Sequence, residues 1–452
     1  MRILWICNLV PRAAAEALGL PDIHKEGWVS ALYESLIRKN QNNISEFELI
    51  VAFPMSAKDA KRCGAGKFGV MCGDDFYGFV EDTTKESVTD PMLEERFAYI
   101  FEDCAPDIVH IFGTEYPHTL AAARALNDPS RLLIGLQGIC TEYAERYLAH
   151  LPEDVILRHT LRDTLKKDSI YEQQQKFFVR AENEREALKL TGNVAGRTSF
   201  DKEYAARINP DAKYHHAGEN LRRPFYSGAW NEDCSERFRI FASQGDYPIK
   251  GLHYLLIAVG ELLWEIADKG RELPDIRIYV AGQQICCFNS VIKKIKISSY
   301  GKYIEELIDK YGLRDRVVFT GRLDATAMKE QYLKCDTYVC CSVCENSPNS
   351  LGEAMMLQVP IVTAMVGGIP SIFREEKDGF SFSIEDDDTE MQVADKLKKA
   401  LMRRWNSAAR DDSPSGEFEQ RRHNAGFHAR EIHNPDKNVF DLLEIYRTMA
   451  SY

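Results

Sequence analysis

The chain has 452 residues, too many for one ordinary hydrophobic core, so two domains are expected. Its composition, 44% hydrophobic and 28% charged without a low-complexity tract, excludes disorder as the main state. Lys plus Arg number 57 against 69 Asp plus Glu, and the net charge of -12 argues against nucleic acid as the main partner.

The opening MRILWIC is apolar for only a few residues before Asn8 and Pro11, shorter than a signal-peptide core. No later run reaches the length of a membrane span, so the expected location is cytoplasmic, with the inner face of the membrane as a refinement. The 12 cysteines sit largely in apolar runs, as buried thiols of a reducing compartment do. Cys341 and Cys344 have C-x-x-C spacing but no second pair at zinc-site distance, so neither metal nor redox use is expected.

Short apolar runs alternate with longer amphipathic stretches in both halves, the pattern of two α/β domains with parallel sheets. In the first half the expected strands are 2–6, 47–53, 108–112, 132–137 and 192–197. Helices are expected over 26–39 and 118–126, and a polar amphipathic stretch runs from about 153 to 190. The segment HHAGENLRRPFYSGAWNEDCSE (215–236) reads as a linker, rich in Gly, Pro and polar residues. Beyond it, strands begin at RFRIFAS, IRIYVAG, RVVFTG, DTYVCCS and IVTAM, with helices between them, one over roughly 390–404 and a last at NVFDLLEIYRTMA. Two such sheets side by side leave a cleft, and ligands bind beyond the carboxyl ends of parallel strands.

GAGKFG (64–69) matches a dinucleotide fingerprint by letter only. It follows polar SAKDAKRC and leads into VMCGDDFYGFV rather than into a helix, so it reads as a glycine-rich loop. In IVHIFGTEYPH, His110 reads as a core histidine, while Glu115 and His118 beyond the strand suit an acceptor better. RHTLRDTLKK, between Arg158 and Lys167, is locally basic and suits an anionic membrane, although such stretches are commonly solvated helix faces.

Three loops after strands in the second half carry ligand chemistry. In SQGDYPIKG, Lys250 opens a helix at the cleft, a point charge for a phosphate. In TGRLDATAM, Arg322 and Leu323 can line the same cleft, and Asp324 reads as a helix cap. In CENSPNSLGEAMMLQ, Glu345 and Glu353 flank a helix that opens near Asn349. The N–H groups of Asn349, Ser350 and Leu351 would face an anion there. Spacing alone leaves Glu353 as either a dipole-complementing carboxylate or a ligand contact, and Glu345 as either solvated or a ligand contact. The position of Lys250 in the same cleft favours ligand binding.

These residues resemble the donor half of the family-4 retaining glycosyltransferases. The match runs through IKGLHYLLIAVGEL, IRIYVAG, YGLRDRVVFTGRL, CENSPNSLGEAMMLQVPIVTAMVGGIPSI and KDGFSF, with the E-x7-E element at Glu345 and Glu353. The first half follows more loosely through MRILWI, Gly27 opening a helix, and PDIVHIFGTEYPH. The resemblance implies the GT-B fold, two Rossmann-like domains facing a central cleft. It places an acceptor-binding domain over 1–222, a donor-binding domain over 223–430, and a terminal helix over 431–452 that packs back on the first. It implies retaining, metal-independent transfer of a hexosyl group from a nucleoside-diphosphate sugar to a glycan, glycolipid or polysaccharide acceptor in surface-polysaccharide biosynthesis, a lipid-linked acceptor among them.

In that resemblance Glu345 bonds sugar hydroxyls, Glu353 the ribose, and Lys250 with Asn349–Leu351 the diphosphate. Arg322 and Leu323 flank the base, and Gly27 lies near the donor. A uridine diphosphate sugar is the expected donor and guanosine diphosphate mannose the second, with no further cofactor. Three positions depart from the family: Gly245 stands where a basic residue is common, Gln137 where a histidine often meets the donor sugar, and Ser371 where a glutamate usually follows GGIP. A nucleotide-sugar epimerase of the same fold and a non-catalytic partner subunit are the alternatives.

Overall fold

The computed structural model describes residues 1–20, 27–42, 47–286, 296–409 and 416–451, which form two compact units. The first comprises Met1–Ala144, Lys176–Arg222 and Ile432–Tyr452. Its strands are β1 (Arg2–Ile6), β2 (Glu48–Met55), β3 (Val70–Cys72), β4 (Phe76–Val80), β5 (Ile108–Phe112), β6 (Leu132–Gly135), β7 (Asn193–Gly196) and β8 (Lys213–His216). They lie in the order β3-β4-β2-β1-β5-β6-β7-β8, parallel except for the β3–β4 pair.

Successive side chains of a strand point to opposite faces, and both faces of this sheet are covered. Leu4 and Ile6 join one apolar cluster with Ile50, Val109 and Ile134. Ile3 and Trp5 join the other with Val51, Ile108 and Leu133. That double burial explains why β1 and β5 read as unbroken apolar runs rather than alternating ones. The terminal helix, Pro435–Ala450, packs on the second face through Val439, Leu442, Leu443 and Tyr446. The Trp5 indole N–H donates to the Tyr446 hydroxyl at 2.8 Å, and His110 Nδ1 lies 2.7 Å from the same oxygen.

The second unit comprises Glu145–Gln175 and Arg223–Glu431. Six parallel strands build its sheet: β9 (Glu236–Ala242), β10 (Arg277–Ala281), β11 (Val317–Gly321), β12 (Cys335–Cys340), β13 (Ile361–Ala364) and β14 (Phe380–Phe382). Their order is β11-β10-β9-β12-β13-β14. The helix Leu252–Asp268 is apolar nearly all round and buries every residue from Leu252 to Leu263 except Glu261, as a helix enclosed by its own unit does. Arg404, only 1% exposed, has its charge met by Asp336 at 2.8 Å.

Residues 145–175 precede the linker in sequence yet belong to this second unit. Tyr254 donates its hydroxyl proton to Ala149 O at 2.6 Å, and His253 Nε2 lies 3.0 Å from the same carbonyl. Asp163 accepts from Ser299 N at 2.9 Å, and Arg158 pairs with Glu306 at 2.7 Å. None of these contacts has a local sequence signal, because each joins residues a hundred or more positions apart.

The expected strands all form, and GAGKFG leads through a short turn into β3 without opening a helix. Outside the expected strands are β3, β4, β8 and β14, of which β3, β8 and β14 are short and lie at sheet edges, where a strand has fewer neighbours to demand apolar residues. The stretch from 153 to 190 resolves into three helices, Glu153–Ile156, Leu161–Lys166 and Ile170–Lys189.

Candidate functional site

In the second sheet the chain runs from β9 outward to β10 and β11, then returns to place β12 on the other side of β9. The loops after β9 and β12 therefore diverge from neighbouring strands, and such a switch point opens a crevice at the strands' carboxyl ends. A cavity of about 210 Å³ lies there, lined by Ser243, Gln244, Lys250, Ser342, Glu345, Asn349 and Ser350 among others.

Two backbone features hold the loops in place. Residues Pro248–Lys250 form a 3-10 turn closed by Gly251 at φ 70°, after which the helix Leu252–Asp268 begins. A β-carbon on Gly251 would stand 1.9 Å from the Cys341 carbonyl oxygen, so only glycine permits this approach. Val343 N donates to Ile249 O at 2.8 Å, and the Cys341 thiol donates to Lys250 O at 3.4 Å.

This bracing brings Lys250 Nζ to 2.6 Å from Glu345 Oε1, with 16% and 9% of the two side chains exposed. The same carboxylate oxygen accepts from Ser342 Oγ at 2.7 Å. Glu345 O also accepts from Gly368 N at 2.9 Å, so the GGIP element positions the glutamate's backbone. On the cavity's other side, Tyr338 donates its hydroxyl proton to Ser350 Oγ at 3.0 Å. A cation, a carboxylate, amides and several hydroxyls lining one cavity suit a ligand that is both anionic and polyhydroxylated.

Burial and the charge of Glu345 push the Cys340 thiol up to about 11, and burial pushes Cys341 higher still. Both stay protonated at neutral pH, which makes them poor nucleophiles and poor metal ligands.

Of the residues singled out from sequence, Lys250, Glu345, Asn349 and Ser350 share this cavity. The helix they flank, Asn349–Met356, opens at the expected residue. Leu351 differs from expectation: its side chain is fully buried and its N–H donates to Pro348 O at 3.0 Å, inside the helix's own first turn. Glu353 is 3% exposed on the second turn and does not line the cavity. Arg322 is exposed and Leu323 half-buried on the loop after β11, where Asp324 caps the next helix by accepting from Ala327 N.

Gln137 and Gly27 belong to the first unit, Gln137 after β6 and Gly27 at the start of the helix Gly27–Asn42. His118 is fully buried, its ring nitrogens 2.6 Å from Glu81 Oε2 and 3.0 Å from Asn8 Oδ1. Glu115 accepts from Gly138 N at 3.0 Å and from Asn8 Nδ2 at 3.2 Å. His118 therefore braces the loops after β1 and β4, and Glu115 ties the loop after β5 to those after β1 and β6. Ser342, Ser243 and Gln244 were not anticipated. The one available signal was a small polar residue directly after a buried strand.

Residues 227–412 match the profile of the family described as glycosyl transferases group 1. An uncharacterized glycosyltransferase of Methanocaldococcus jannaschii is 27% identical over 144 residues, 32% of this chain and 31% of that protein. A sulfoquinovosyl transferase of Arabidopsis thaliana is 31% identical over 170 residues, 35% of this chain and 29% of that protein. The matched segment thus spans about three-tenths of each of these curated relatives. Among solved structures, sucrose-phosphate synthase from Thermosynechococcus elongatus aligns with all of both chains at TM-score 0.68 and 14% identity. HepE of Anabaena, in complex with UDP and glucose, aligns over 99% of this chain and 100% of its own at TM-score 0.61 and 13% identity. The chain has the GT-B glycosyltransferase fold, and its second half is similar to the group 1 glycosyl transferases.

Proposed function

We propose that the protein is a retaining glycosyltransferase of the family-4 type. It moves a hexosyl group from a nucleoside-diphosphate sugar to a glycan, glycolipid or polysaccharide acceptor in surface-polysaccharide biosynthesis. The observation that carries the reading is the Lys250–Glu345 pair, set in one cavity with the first turn of the helix Asn349–Met356.

The anomeric C–O bond to the diphosphate breaks and its electron pair stays on the diphosphate. Lys250 and the helix N-terminus stabilise that developing charge without a metal. Glu345 accepts hydrogen bonds from donor-sugar hydroxyls, Glu353 serves the ribose, and Arg322 with Leu323 flanks the base. Gly27 and Gln137 belong to the first unit, which takes the acceptor in this reading. The acceptor hydroxyl forms its new bond on the face the leaving group departs from, and its proton passes to the departing phosphate. UDP-sugars are the favoured donors, in keeping with the UDP held by HepE, and GDP-mannose is second.

A thermal-shift screen of nucleotide sugars tests the donor. A bound nucleotide sugar at a hundredfold excess over its dissociation constant should stabilise the protein by about 2.7 kcal/mol. The absence of any shift across the set removes the donor site from this cavity.

One form of this reading has a lipid-linked acceptor and a peripheral membrane contact, carried by residues 157–167 of the second unit rather than by the N-terminal domain. Leu157, Leu161 and Leu165 are 60%, 59% and 76% exposed, the last two one helical turn apart and beside the exposed Lys166 and Lys167. Apolar side chains flanked by cations match an anionic bilayer. No described helix is long and apolar enough to cross a membrane. Co-sedimentation with vesicles rich in anionic phospholipid should weaken at least ~5-fold when Leu161 and Leu165 both become serine, each losing apolar contact with the bilayer. Equal sedimentation of variant and parent overturns the membrane contact.

A further inference from the structure

The first unit holds a second cavity, of about 30 Å³, unrelated to the Lys250 loop. Its walls are partly apolar, Leu32 and Phe112 among them, and its polar lining is His110, Gln137, Arg197 and Glu219.

His110 presents a proton to this cavity in one fixed tautomer. The Trp5 indole N–H can only donate, so the Tyr446 hydroxyl oxygen accepts it, and with no other acceptor among the described residues its own proton turns toward His110 Nδ1. Nδ1 is then an acceptor, and the proton of the neutral ring sits on Nε2. Burial holds the ring neutral by lowering its pKa to about 3.

Nε2 is buried and has no hydrogen-bond partner among the described residues, in a side chain only 2% exposed. Gly135, across β5–β6, leaves the space beside it open: a β-carbon there would stand 3.2 Å from Nε2. A second buried donor, Arg197 Nε, is likewise unmatched among the described residues. An unpaired buried donor is costly, so two such donors on residues that line one cavity point to an oxygen that belongs there.

The charge balance narrows what brings that oxygen. Arg197 is already neutralised by its ion pair with Glu219, and the carboxylate would repel an anion. A neutral hydroxyl both accepts and donates, and so fits His110, Arg197, Gln137 and Glu219 together. The volume holds little more than one water-sized group.

We propose that this cavity is a carbohydrate subsite that seats one hydroxyl or hydroxymethyl arm of a neutral sugar. It rests on the glycosyl-transfer reading only in taking that sugar to be the acceptor's.

Protein with ¹⁵N-labelled histidine is titrated with glucose, galactose, mannose and N-acetylglucosamine, and separately with inorganic phosphate. At least one sugar should shift the His110 Nε2 resonance saturably, and phosphate should not. Gly135→Ala, which places a methyl against Nε2, should weaken that response at least ~10-fold, a loss on the scale of one buried hydrogen bond plus contact. Gln137→Ala should weaken it in the same direction and serves if the alanine variant at 135 does not fold. No response to any sugar, or an undiminished response in both variants, overturns the subsite and leaves a buried water only. A response to phosphate instead overturns its neutral character. UDP binding in the same samples separates the two readings. UDP binding without a sugar response sinks this inference alone, and a sugar response without UDP binding sinks the donor site alone.

Discussion

Replacing Lys250 with methionine is expected to lower kcat for sugar transfer by about 10²- to 10³-fold, the usual cost of removing one preorganised group that meets developing charge. Lys250 reaches Glu345 at 2.6 Å, and its side chain is 16% exposed, so its charge is only partly screened by water. In the proposed reaction the diphosphate gains its full charge as the glycosidic bond breaks, which makes the lysine's contribution larger in the transition state than in the bound donor. The loss should therefore fall on kcat more than on KM. Methionine keeps the length and apolar stem while removing the charge, but it leaves Glu345 without its cation. Ser342 Oγ remains 2.7 Å away as a donor, which limits the structural penalty to about 1–3 kcal/mol. Lys250→Arg should recover part of the rate, since it restores charge with a different hydrogen-bond fork. Rates measured with a hydrolysable or acceptor-bound donor decide the matter. A Lys250→Met enzyme within threefold of the parent would remove the lysine from the mechanism.

The second large effect concerns the turn that carries this lysine. Gly251→Ala should destabilise the second unit by about 3–4 kcal/mol, from left-handed backbone strain plus a steric overlap that cannot relax freely. The new methyl would lie 1.9 Å from the Cys341 carbonyl oxygen, and the Val343–Ile249 hydrogen bond ties the two loops so that neither retreats alone. Gly312 is the matched control. It has a similar φ of 66°, but a β-carbon added there would meet no heavy atom within 4 Å. Gly312→Ala should therefore cost only the backbone strain, about 1–2 kcal/mol. Denaturant unfolding of the two variants, with UDP binding measured alongside, separates strain from collision. Equal destabilisation would show that the Cys341 approach contributes nothing.

Much of the second unit was readable in advance because its signals are local. Runs such as RFRIFA and DTYVCC become β9 and β12, since a strand buried on both faces must be apolar throughout. The helix at Asn349 follows NSP, and the turn at Lys250 follows from a proline and a glycine set close together. The place of Ser342 in the cavity wall had no comparable mark, because a serine after a strand is common in loops of every kind. The fate of His118 was misjudged for a related reason. Sequence places it just past β5, near a cleft, but only the approach of Glu81 and Asn8 shows that it is walled in.

By itself the sequence determined most element types and the two-sheet α/β plan, and it singled out three loops after strands, two of which line the cavity. Period, glycine and proline positions, and helix-opening residues act over a few positions, so they survive in the linear chain. The tertiary structure alone decided which loops meet. Lys250 and Glu345 stand 95 positions apart and pair because β9 and β12 are neighbours at the switch point. Tyr446 sets the proton of His110 from 336 positions away because the terminal helix closes one face of the first sheet. Residues 145–175 join the second unit through buried hydrogen bonds to Tyr254, His253 and Ser299. Each of these rests on strand order and burial, which many sequences with the same local pattern could have arranged otherwise.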